Sequence, residues 1–128
     1  MAKDDPLRTA SELAQQGKTA EAIACLEAAL ALTRSSPERP ANTSLLARTA
    51  GLFCEEAGQL SQAAAYYEES SAADLQDPIV LLALADVRWR LGEADVARSC
   101  LKRAESLVQP SSDPEISKVI AKTRARWA

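Results

Sequence analysis

Three glycine–alanine pairs of the form Gly-x-x-x-x-Ala set the layout of this 128-residue chain: Gly17–Ala22, Gly58–Ala63 and Gly92–Ala97. The last two glycines stand 34 residues apart, and the first two 41 apart, one such period plus seven residues. A period of about 34 is the length of a helix–turn–helix unit that stacks on copies of itself. One such unit cannot bury its own apolar face, so successive units share a continuous core. The spacing therefore predicts an all-helical stack and limits function to what a helical scaffold can do.

Further positions recur in step with the glycines. Seven residues before each stands a small residue, Ala10, Gly51 or Ala85. Nine after each is a large one, Leu26, Tyr67 or Leu101, and three beyond those come Ala29, Ser70 and Ala104. Small residues at matched places let two helix axes approach closely. The glycine suits the short turn between them, where a positive φ is cheap.

Taken together these positions resemble the tetratricopeptide repeat (TPR) family, over roughly residues 3–109. The chain departs from the pattern at Pro6 and Thr9, where large residues are usual, and at Ser70, where alanine is usual. The seven extra residues after repeat one match longer variants of the family. The resemblance implies a right-handed helix-turn-helix solenoid in one domain, residues 1–128. Repeat one would span 3–36, repeat two 44–77 and repeat three 78–111, with a capping helix over 112–128.

Boundary signals agree with seven helices. Asp4 or Asp5 followed by Pro6 reads as a helix start, as do Asp77-Pro78 and Asp113-Pro114. Thr19, Ser61 and one of Asn42, Thr43 and Ser44 are the other expected caps. The stretch Ser35 to Pro40 is the clear loop. Ile116, Val119, Ile120, Thr123 and Trp127 form an apolar stripe at helical spacing, as a terminal helix covering the last repeat would need.

Composition removes several classes of function. The chain contains no histidine, so Ser-His-Asp and Cys-His catalysis and His-ligated metal sites are out. Gly-rich phosphate loops are missing as well. Glu55-Glu56 and Glu68-Glu69 are adjacent carboxylates, which point in different directions on a helix and read as solvated faces. The expectation is a protein that is not an enzyme and needs no cofactor or metal. Cys25, Cys54 and Cys100 include no Cys-x-x-Cys and read as small buried hydrophobes of a reducing compartment. The longest apolar run, Ile79 to Ala85, is too short for membrane insertion, and the start of the chain has no secretory signal. A cytoplasmic location is expected. Lys118, Lys122, Arg124 and Arg126 give the last helix a basic face, read as solvated rather than as a nucleic-acid site.

The TPR resemblance implies that the first helix of each repeat lines a concave groove holding a protein or peptide ligand. Mapped here, that face carries Arg8, Ser11 and Gln15 from repeat one and Arg48, Thr49, Leu52, Glu55 and Glu56 from repeat two. Repeat three adds Ile79, Leu82, Asp86, Trp89 and Arg90. Members that clamp chaperone tails use a set of lysines, asparagines and arginine. Leu7, Ser11, Thr49, Ile79 and Ala83 stand at those places, so that ligand is rejected. Trp89 either anchors the partner, with Arg48 and Arg90 beside it, or packs between repeats; both readings are open at this point.

Charge is uneven. Residues 1–87 hold 6 basic and 13 acidic residues, and residues 88–128 hold 9 and 5, so a net −7 faces a net +4. The leading expectation is an adaptor that binds a peptide or protein segment in the groove. The alternative is a self-assembling scaffold, a homo-oligomer joined through its acidic and basic ends.

Overall fold

The computed structural model describes residues 5–128. Among them are seven helices and no strand: α1 (Pro6–Gln15), α2 (Thr19–Arg34), α3 (Thr43–Glu56), α4 (Leu60–Ala73), α5 (Pro78–Arg90), α6 (Ala94–Leu107) and α7 (Pro114–Arg126). The protein is an all-α solenoid. Each helix packs on the next in sequence, and α1 also touches α3. First helices α1, α3 and α5 thus form one layer, and α2, α4 and α6 the other.

The three periodic glycines make the same turn each time. Gly17, Gly58 and Gly92 have φ of 78°, 78° and 83°. The glycine N–H donates to the carbonyl three residues back, Ala14, Glu55 or Trp89, at 3.0 Å in each case. The following N–H reaches five residues back: Lys18 to Leu13 and Glu93 to Arg88, both at 2.9 Å, and Gln59 to Cys54 at 2.8 Å. This is the Schellman arrangement, which closes off a helix using a left-handed residue.

That turn corrects the expected caps. The residue after each glycine, Lys18, Gln59 or Glu93, is itself the N-cap of the next helix, and none makes a side-chain cap bond. Thr19 and Ser61 fall inside their helices, because the turn leaves no residue to spare. Asp5 and Asp77 do cap as expected, accepting from the N–H of Leu7 at 3.1 Å and Ile79 at 3.0 Å. Asp4, the other candidate for the first cap, lies outside the described residues. Asn42 precedes α3 without a side-chain bond. Ser44 is spent elsewhere: its hydroxyl donates to the carbonyl of Ser70 at 3.0 Å, and the Ser70 hydroxyl donates to the carbonyl of Ser44 at 2.8 Å. Serine in place of alanine at 70 therefore ties α3 to α4.

The repeated small residues sit at the helix contacts. Ala10, Ala22, Ala63, Ala97 and Ala104 are fully buried, as is Leu26. Repeat two departs at both members of one pair. Where the other repeats set alanine against leucine, it sets Gly51 against the larger Tyr67. A Cβ on Gly51 would lie 2.6 Å from Cε1 of Tyr67, so the missing methyl makes room for the ring. The buried side chains form two clusters, one in repeat one and α3, the other from Cys54 of α3 through α4 to α7, and Ile23 and Tyr66 pack against both.

Candidate functional site

The first-helix face of α3 and α5 separates cleanly from the core. On α3, Leu46, Ala47, Ala50, Gly51, Phe53 and Cys54 are buried. Leu45, Arg48, Thr49, Leu52 and Glu55 fall on the other side, at helical spacing. Leu52 is 47% exposed and Leu45 41%. On α5, Val80, Leu81, Leu84, Ala85 and Val87 are buried, while Ile79 is 51% exposed and Leu82 and Asp86 are half-buried. Leu45 was not singled out in the sequence. Its signal was there: it precedes Ile79 by one 34-residue period and Leu52 by seven residues.

Ion pairs hold the charged members of this face. Arg90 donates from Nη1 to Glu55 Oε2 at 2.9 Å and to Asp86 Oδ2 at 3.4 Å. Tyr67 donates its hydroxyl to the other Glu55 oxygen at 2.8 Å, and burial together with that bond pushes its phenol pKa up. Arg48 reaches Asp77, the cap of α5, at 3.4 Å. Glu55–Arg90 and Arg48–Asp77 thus join α3 to α5. The Thr49 hydroxyl donates back to the Leu45 carbonyl at 2.8 Å. Arg8 and Glu12 pair within α1 at 3.4 Å, and Ser11 and Gln15 are exposed beside them. No side-chain bond ties Arg8 to α3 among the described residues.

Trp89 resolves one way of the two left open. It stacks on Trp127 of the C-terminal end, centroids 4.5 Å apart and planes 6° from parallel. The Arg98 guanidinium stands over the Trp89 ring at 5.3 Å and also donates to the Trp127 carbonyl at 3.2 Å. Trp89 is half-buried and packs against the terminal helix; it is not a freely exposed anchor. The 38-residue separation of the two tryptophans matches no repeat period, so nothing in the sequence paired them.

A denser charge network occupies the second-helix layer. Arg34, at the end of α2, donates to Glu27 at 2.6 and 3.1 Å and to Glu69 of α4 at 2.9 and 2.7 Å. Arg39, from the long loop, donates to Glu69 at 2.6 Å and to Thr33 Oγ1 at 2.7 Å. Tyr66 donates to Glu27 at 2.7 Å. Hydrogen bonds from Arg34 hold both carboxyls below the usual range, against the opposing effect of burial. The seven extra residues after repeat one therefore carry an arginine that clips α2 to α4. Another arginine, Arg88 of α5, pairs with Glu68 of α4 and with Glu93, the N-cap of α6, at 3.0 Å. All these carboxylates are matched by guanidinium groups, an arrangement that stabilises helix contacts. Among the described residues no group of three or more acidic or thiol side chains could hold a metal. The three cysteines are free thiols; Cys54 and Cys100 are buried and Cys25 partly so.

Family models described as tetratricopeptide repeat match residues 8–36 and 55–114. The chain belongs to the tetratricopeptide repeat family. Among solved structures it is similar to the Yersinia enterocolitica type III secretion chaperone SycD in complex with a peptide of the translocator YopD. Identity is 20%, the TM-score 0.78, and the match covers 95% of this chain and 88% of that one. At that identity the likeness is one of fold. No curated protein sequence matches the chain.

Proposed function

We propose that this TPR protein is a non-enzymatic adaptor whose first-helix face holds an extended or helical peptide segment of another protein. The observation that carries the reading is the exposure of Leu45, Leu52 and Ile79 on one face, beside arginines whose positions ion pairs already fix. Pre-set donors lose little freedom on binding, and exposed aliphatics gain by burial. The site comprises Arg8, Arg48, Thr49, Leu52, Glu55, Ile79, Leu82, Asp86, Trp89 and Arg90, with Leu45 added. Within it Leu45, Leu52 and Ile79 supply apolar area, Arg48 and Arg90 supply directed hydrogen bonds, and Trp89 secures the end of the face against α7. The similar secretion chaperone was itself solved with a bound peptide, which agrees with this role. Paired carboxylates and the lack of histidine support a protein without catalysis or cofactor.

The reading includes a cytoplasmic location, with neither nucleic acid nor membrane insertion; no described helix is long and apolar enough to cross a membrane. The net −7 of residues 1–87 and the net +4 of residues 88–128 favour head-to-tail self-association as the second reading. Light scattering across salt concentration tells them apart, since an oligomer that dissolves with salt belongs to the second. A photo-reactive residue at position 52 or 79 tests the first directly. Adducts to a discrete partner are expected from these two positions and none from position 32 or 75, both exposed leucines elsewhere. Equal adducts from all four would overturn the groove assignment.

A further inference from the structure

Between α6 and α7 lies a cavity of about 460 Å³, walled by Arg98, Leu101, Lys102, Glu105, Arg124 and Trp127. Three cations and one carboxylate line it, and Arg98 also pairs with Asp95 at 3.7 Å. The lining carboxylate is already taken, because Arg124 Nη2 contacts Glu105 Oε2 at 2.5 Å. Lys102 has no ion-pair partner among the described residues. Trp127 is only 4% exposed, and its buried indole N–H has no acceptor. A buried donor without a partner is costly and unusual in a native structure. The two unmet demands beside this cleft have one sign: the Lys102 ammonium without a counterion and the Trp127 indole N–H without an acceptor.

We propose that the α6–α7 cleft is a second binding site, separate from the first-helix face, and that it takes an acidic peptide segment. Carboxylates are acceptors only, so they satisfy ammonium, guanidinium and indole donors together. Leu101 and the Trp127 ring give the segment's apolar stems a surface to lie on. The field agrees, since residues 88–128 carry net +4 within a chain of net −3. A nucleic acid fits less well. Its extended backbone would leave the basic end for a region of net −7, and Trp89 is covered by Trp127 and Arg98, so it offers no open face for a base to stack on. The site does not depend on the groove reading.

The test is titration of a hexaglutamate peptide into the full chain at low salt, followed by fluorescence. The only two tryptophans are stacked beside the cleft, so occupancy changes their emission. Saturable binding is expected. Lys102→Glu should weaken it by about tenfold or more, while Lys122→Glu, an equal charge change on an exposed position outside the cleft, should weaken it less than about threefold. Trp127→Phe keeps an aromatic ring but removes the N–H, and should also weaken binding. Both lysines are exposed, so these variants keep the fold, with circular dichroism as the check and Lys102→Ala as the milder substitute. Three results would overturn the proposal. One is no saturable binding; another is equal weakening by Lys102→Glu and Lys122→Glu; the third is tighter binding of a single-stranded oligonucleotide than of hexaglutamate under the same conditions.

Discussion

Gly51 and Tyr67 act as one unit. The ring of Tyr67 fills the space that a methyl on residue 51 would need, with the nearest approach 2.6 Å. Its hydroxyl then reaches Glu55, which also receives Arg90. A core glycine thus helps to order the face proposed for binding. The consequence can be measured in a double-mutant cycle by denaturant unfolding. Gly51→Ala alone should destabilise by about 1–3 kcal/mol through overpacking. In a Tyr67→Leu background, which recreates the Ala–Leu pairing of the other repeats, the same change should be neutral or stabilising by up to about 1 kcal/mol, since alanine is the better helix former. An unchanged cost in both backgrounds would mean that the ring is not what meets the new methyl. The sequence announced that a small residue stands at 51. That it must be glycine follows only from the tyrosine opposite, on another helix.

At the scale of elements, what was legible is what repeats. The helices, the glycine turns and the small-residue contacts recur at one period, and the periodicity alone locates them. Caps were less legible at Thr19 and Ser61, because the Schellman turn hands one helix directly to the next. Cross-repeat ion pairs were less legible. Glu55–Arg90 spans 35 residues, one period plus one, but Arg34–Glu69, also 35 apart, falls six short of the 41 residues between the first two glycines, because the insertion breaks the register there. The α2–α4 network yields a pH prediction. Glu27 and Glu69 have pKa values lowered from 4.5 in the folded protein, with Arg34 as the largest cause. A depressed folded pKa contributes stability that is present above the unfolded value and is lost as pH falls through the folded one. Thermal stability should therefore drop as pH goes below about 4.5. Arg34→Ala should lower stability at neutral pH by about 1 kcal/mol, since the arginine is partly exposed, and should flatten the acid-side drop. An equally steep drop in the variant would contradict the role given to Arg34.

Across the whole molecule the two layers do different work. The second helices are stitched by the Arg34, Arg39 and Arg88 ion pairs and expose Leu32 and Val96, while the first helices expose Leu45, Leu52 and Ile79 beside the Arg48 and Arg90 pairs. The terminal helix closes the far end through the Trp89–Trp127 stack, a long-range contact that no spacing rule could reveal. The candidate face was thus readable in outline, from the family's layout mapped onto helical register. Which of its residues are free and which are engaged was not readable, because that depends on partners from other helices. The most direct test is the dissociation constant of a captured peptide partner, measured by calorimetry for three proteins. Leu52→Glu combined with Ile79→Glu should weaken binding by about 2 kcal/mol or more, the range of interface hot spots. Leu75→Glu, an equally polar change at a leucine 62% exposed outside that face, should leave the constant within about twofold of the unmodified protein. Equal affinity of all three folded proteins would contradict the account.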